Sequence, residues 1–237
     1  MDFTVIILTF LNYNGMKKLV WVLFIILFAG LHWLNAQDRP LKILVIGAHP
    51  DDCEINVGGT AALFAEMGHK VKFISVTNGN AGHHEIGGTP LYKRRLAESL
   101  ESAKRLGIEE YELMSNDDGL LMPSLENRLQ IIRKIREWDA DIVISHRTND
   151  YHPDHRYTGI LVQDAAYMVA VPNIAPDVPA LKKNPVFLYS TDRFQRPNPF
   201  RPDITVIIDQ AHPKKIYAMD AHVSQFYEWL PWIGGYA

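Results

Sequence analysis

The chain has 237 residues, 47% hydrophobic and 22% charged, ordinary globular values for which a single domain is the default. A formal net charge of −3, with no long Lys/Arg block, gives no basis for a nucleic-acid partner. One cysteine, Cys53, excludes an internal disulfide and reads as a small buried packing residue.

The N-terminus carries a distinct pattern. Met16-Lys17-Lys18 precedes the almost purely apolar Leu19 to Leu31, and Ala36 is followed by polar Gln37-Asp38. A basic start, an apolar core and a small residue at a cleavage point are the layout of a secretory signal. The apolar run is short for a spanning helix, which needs about 20 residues. Residues 1–36 are therefore expected to be a signal peptide in transient contact with the membrane, cut after Ala36, and the protein is expected to be exported to the periplasm or cell exterior. An uncleaved anchor is the rival reading. The first fifteen residues precede the basic pair, so Met16 is a second candidate start. Residues 37–40 form a short linker, and residues 41–237 form one domain.

From Leu41 onward, strand and helix patterns alternate. Leu41 to Gly47 (LKILVIG) is a continuous β-branched apolar run of the kind a doubly buried parallel strand shows. Helical spacing follows over Asn56 to Met67, then a strand at Val71 to Thr77, and a Gly/His-rich loop at Asn78 to Pro90. Leu91 to Leu106 is amphipathic and ends at Gly107, a common stop signal. A short strand at Tyr111 to Met114 precedes a helix from Ser124, a plausible N-cap, to Trp138. Asp141 to His146 is a strand and Gly159 to Val169 a helix. Val186 to Ser190 and Ile204 to Ile208 read as late strands, and Pro213 to Trp229 as the last helix. The alternation predicts an α/β fold, a Rossmann-like open and mostly parallel sheet with helices on both faces.

Two short motifs carry the chemistry, and each follows a predicted strand: Ala48-His49-Pro50-Asp51-Asp52 and His152-Pro153-Asp154-His155. Carboxyl ends of strands are where open α/β sheets build their sites. A hydrolytic zinc site takes three ligands from His and Asp/Glu and leaves a position for water, while a separate base and acid handle the protons. The motifs hold enough groups for all of these parts. Asp51 and Asp52 are adjacent and point apart in an extended segment, so one can bind metal while the other faces substrate. His152 and His155 can divide in the same way.

These motifs, with Glu54, Arg95-x-x-Glu98 leading to Leu106-Gly107, and His222-x-Ser224-Gln225, resemble the LmbE-like, or PIG-L, family of zinc-dependent N-acetylglucosaminyl deacetylases. The likeness runs from about Leu41 to the C-terminus. It implies His49, Asp52 and His155 as metal ligands, with Zn²⁺ as the metal and Fe²⁺ as the alternative. It implies Asp51 as general base, His152 as oxyanion stabiliser and general acid, and Asp154 as the group that orients that histidine. Arg95 would bind the sugar or its attached group, and Asp117 or its neighbour Asp118 a sugar hydroxyl. Other potential ligands have plainer readings: Glu54 braces its loop, His83 and His84 lie on a rim, and His222 packs behind the site. The cluster Phe226, Tyr227, Trp229 and Trp232 is core or a homo-oligomer interface. The implied activity is removal of an acetyl group from an N-acetylglucosamine-containing small molecule or glycan. The alternatives are hydrolysis of another N-acyl glycoconjugate or amine, and an extracellular glycan-binding protein with a vestigial site. Related chains carry more sequence past the last helix, so an abbreviated C-terminus is a further expectation.

Overall fold

The computed structural model describes residues 39–236, and the signal-like segment lies outside them. Residues Pro40–Ala237 form one compact unit. Its centre is a parallel five-stranded sheet of β1 (Lys42–Gly47), β2 (Lys70–Thr77), β3 (Glu110–Asn116), β4 (Ile142–Ser145) and β5 (Val186–Tyr189), in the order β3-β2-β1-β4-β5. Four helices follow the first four strands: α1 (Asp52–Glu66), α2 (Gly88–Leu106), α3 (Leu125–Trp138) and α4 (Pro153–Met168). Later come α5 (His212–Met219), a π-helical turn (Ser224–Trp229) and α6 (Leu230–Ile233).

The apolar run of β1 is continuous because both of its faces are covered. Ile43 and Val45 pack with Cys53, Val57 and Ala61 of α1, while Leu44 and Ile46 pack with Ile131, Ile135 and Leu161 of α3 and α4. Successive strand residues point to opposite faces, so a central strand with helices on both sides has no polar face to offer.

Close backbone approach at the sheet's carboxyl edge depends on two glycines. A Cβ on Gly47 would lie 2.8 Å from Asp52 Cβ, and one on Gly159 would lie 2.7 Å from the Arg147 carbonyl oxygen. The first lets α1 begin directly above β1, and the second seats α4 on the chain leaving β4.

Besides α2, which begins at Gly88 instead of Leu91, two helices begin earlier than their apolar spacing predicts: α1 at Asp52 instead of Asn56, and α4 at Pro153 instead of Gly159. Both first turns are built from polar motif residues, which carry no amphipathic period. His152 caps α4, with Pro153 at its first position. Ser124 caps α3 as expected, its hydroxyl accepting from the Asn127 amide. Residues 204–208 are not a strand: Ile204 and Ile207 are exposed, and Ile208 packs on Gly59 of α1. The expected last helix is divided, and His222 lies in the turn between α5 and the π-helical turn. No helix among the described residues is long and apolar enough to cross a membrane.

Candidate metal centre and active site

The strand order reverses between β1 and β4, and a crevice opens at such a switch point. The chain leaving β1 brings His49, Asp51 and Asp52 to it, and the chain leaving β4 brings His146, Asp150, His152, Asp154 and His155. The two motifs meet although more than a hundred residues separate His49 from His155 in sequence.

Three residues converge there. His49 Nδ1 lies 3.1 Å from His155 Nε2 and 3.4 Å from Asp52 Oδ2, and His155 Nε2 lies 3.3 Å from Asp52 Oδ1. Ligands about 2.0–2.1 Å from a tetrahedral cation stand roughly 3.3 Å apart, so this spacing fits a small divalent ion. His152 groups with the same two histidines, and two further potential donor sets pair Asp52 with His146 and His155, and His49 with Asp118 and Asp154.

Each of the three residues has further polar contacts. His49 Nε2 meets Asp118 Oδ1 and Asp154 Oδ2, both at 3.2 Å, and His155 Nδ1 meets Asp150 Oδ1 at 3.0 Å. Asp52 Oδ2 accepts the backbone amides of Ala48 and His49 at 2.9 and 2.7 Å, and His146 Nε2 stands 3.3 Å away. Such contacts fix which ring nitrogen is free and hold it on target. They also set the local charge. Burial opposes protonation of His49, but hydrogen bonds to Asp118, Asp154 and Asp52 outweigh it and raise its pKa well above the ordinary value. Burial likewise opposes His155, yet Asp52 and Asp150 carry its pKa to about 9. A cation entering the site displaces these protons.

Asp51 has different surroundings from its neighbour. It is 3% exposed, and its pKa is raised by burial and by the adjacent Asp52. Its backbone, at φ 157° and ψ −25°, lies where non-glycine residues are rare, and such strain persists only where surrounding structure over-determines it. Its Oδ2 accepts a 2.7 Å hydrogen bond from the Gln225 side chain. His152 stands edge-on to His49, ring centres 4.5 Å apart, and its Nδ1 accepts the Asp154 amide at 3.2 Å. Burial, then the neighbouring His49 and His155, lower its pKa. With Nδ1 accepting, the proton of the neutral ring sits on Nε2.

Three of the expected site residues are placed as follows. Asp154 gives its backbone amide to His152, but its carboxylate serves His49 and accepts the Gly119 amide at 2.7 Å. Asp118, not Asp117, faces the site: Asp117 is exposed and accepts from Asn78 and Asn80, because neighbouring residues at a strand end turn opposite ways. Arg95 reaches the site but is 2% exposed, and its Nη2 donates to the Gly82 carbonyl at 2.7 Å, holding the loop after β2.

Other groups have structural partners. Glu54 is fully buried and joins Ser102, Tyr111 and His222. His84 stacks on Trp232, which stacks on Trp229. Sequence reading passed over His146, Asp150 and Gln225 as participants. Asp150 sits five residues before His155, but nothing in the sequence marks it as that ring's partner.

A donor triad at the switch point of a parallel sheet, with a separate buried carboxylate and a further histidine beside it, is the arrangement of a metal-dependent hydrolase. The chain belongs to the GlcNAc-PI de-N-acetylase (PIG-L) family, whose model matches residues 44–166. It is 31% identical to the diacetylchitobiose deacetylase of Thermococcus kodakarensis, over 81% of this chain and 73% of that one. It is 27% identical to a probable N-acetyl-alpha-D-glucosaminyl L-malate deacetylase of Bacillus anthracis, over 78% and 81%. The structure of N,N'-diacetylchitobiose deacetylase from Pyrococcus horikoshii superposes with a TM-score of 0.72 at 27% identity, covering 82% of this chain and 75% of that one.

Proposed function

We propose that the chain removes the acetyl group from an N-acetylglucosamine-containing substrate, with Zn²⁺ held by His49, Asp52 and His155. The carrying observation is the donor triad at 3.1–3.4 Å beside a carboxylate, Asp51, held by Gln225. Family membership and the deacetylase relatives support the same reading. When bound, the cation supplies Lewis acidity toward water and the amide carbonyl.

The chain's own residues supply the rest. Asp51 takes a proton from the attacking water, and its raised pKa makes it a better base than an ordinary aspartate. His152 donates its Nε2 proton as a hydrogen bond to the oxyanion that forms at the acetyl carbon, the work of an oxyanion-hole donor. Collapse breaks the C–N bond, and the amine leaves with the proton Asp51 collected. Acetate and a free amino sugar result, with water consumed. Asp154 and Asp118 aim His49. Arg95 balances the charge of Asp51 and Asp118 from beneath and shapes the rim through Gly82.

Acetate release from a panel of N-acetylglucosamine derivatives, with metal-loaded and chelated protein, tests this reading. Chelator-sensitive release is expected, and Asp51→Ala is expected to lower kcat about 100- to 10,000-fold while retaining metal. Unchanged turnover in that variant removes Asp51 as the base. Metal binding without turnover on any N-acetyl sugar favours a glycan-binding role instead. The basic pair and apolar run before Ala36 support an exported site of action, and N-terminal sequencing of the native protein tests it.

A further inference from the structure

Gln225 brings a contact to Asp51 from the C-terminal segment. The segment around it is tied down independently. His222 Nε2 meets Glu54 at 2.8 Å, and Glu98 accepts from the Ser224 amide at 2.9 Å and the Ser224 hydroxyl at 2.5 Å. Glu228 accepts from Arg94 at 2.5 and 2.6 Å and meets His83 at 2.8 Å. These bonds clamp residues 222–228 to α1, α2 and the loop after β2. Between the clamps the backbone widens into the π-helical turn Ser224–Trp229, a feature frequent at functional sites. Within that turn Gln225 extends to Asp51 Oδ2 at 2.7 Å.

We propose that Gln225 is a positioning residue for the general base, an inference that rests on the deacetylase reading. An amide donor committed to Oδ2 stops rotation of the Asp51 carboxylate and assigns the proton transfer to Oδ1. The amide of Gln225 carries no charge, so it holds the carboxylate without the competition for the proton that a lysine or arginine would bring. The anchors on either side explain why the contact is separable from folding: the segment stays in place when this one bond is lost.

The test uses the metal-loaded chain with Gln225→Met, which keeps length and loses the donor, alongside Gln225→Ala. Both variants are expected to lower kcat about 10- to 100-fold with KM within about twofold, with bound metal and melting temperature unchanged. Wild-type kcat in Gln225→Met overturns the inference, because packing alone then accounts for the residue. A rise in KM at constant kcat also overturns it and makes Gln225 a substrate contact. The contact has a readout independent of turnover. In isotope-labelled protein the Gln225 side-chain amide resonance, identified by its loss in Gln225→Met, is expected to exchange slowly with water and to exchange as a free amide in Asp51→Ala. Equal exchange in the two proteins overturns the inference. Absence of acetate release from wild-type protein counts against the deacetylase reading, whereas the amide exchange still decides the contact.

Discussion

At the scale of single residues, the proposed ligand set separates groups that would hold a cation from groups that would aim the holders. Asp150 belongs to the second kind, touching His155 Nδ1 at 3.0 Å and lying next to none of the other donors in sequence. Asp150→Ala frees the ring to rotate and to change tautomer. Its metal affinity is expected to fall about 10- to 100-fold in competition with a chelating dye, and activity is expected to recover at saturating metal. Unchanged affinity would mean that packing alone fixes the ring. The motif residues were legible because their types and spacing are themselves chemical: two short strings hold His49, Asp51, Asp52, His152, Asp154 and His155. Their partners were not. His146 stacks on His155 and reaches Asp52 because β4 runs beside β1, and Asp118 reaches His49 across the end of β2 from the chain leaving β3, a fact of topology that no local pattern contains.

At the scale of elements, the C-terminal turn is held to α2 largely by charge, which gives it a pH signature. Arg94 and then His83 bring the Glu228 carboxylate down to about 2 from its unperturbed 4.5. A depressed carboxylate contributes stability that is complete above its unfolded pKa and is lost as pH falls through its folded pKa. The contribution of Glu228 is therefore present above about pH 4.5 and fades toward pH 2. Glu228→Gln is expected to melt slightly lower at pH 7 and to lose stability less steeply than wild type across that acid window. The effect stays small because a third of the side chain meets solvent, which screens the pair. Parallel acid limbs would show that Arg94 and His83 do not anchor the turn. Element boundaries were misread where the first turn of a helix is made of site residues, as at Asp52 and Pro153. The apolar run 204–208 was misread because hydrophobicity alone does not supply a neighbouring strand to pair with.

At the scale of the whole molecule, the alternation of strands and helices was plain from the sequence because the buried strands of a two-sided sheet are unbroken apolar runs. The order β3-β2-β1-β4-β5 was not, since nothing in β4 announces that it seats beside β1. That seating decides how metal and fold are linked. A cation that binds only the assembled site stabilises the native chain by mass action, about 2.7 kcal/mol at a hundredfold excess over Kd. For a domain of this size a rise in melting temperature of about 5–10 °C is expected on adding metal, read by calorimetry against a chelated control. No shift would mean that the donors do not converge in solution. The same seating governs timing. A chain still being made presents His49 and Asp52 early, while His155 is added only after another hundred residues have left the ribosome. Until β4 takes its place, a cation finds two of the three donors and an unfinished grip. On the proposed ligand set, assembly of the metal centre waits for β4 to seat beside β1, and a fragment ending before His155 is expected to bind the cation weakly.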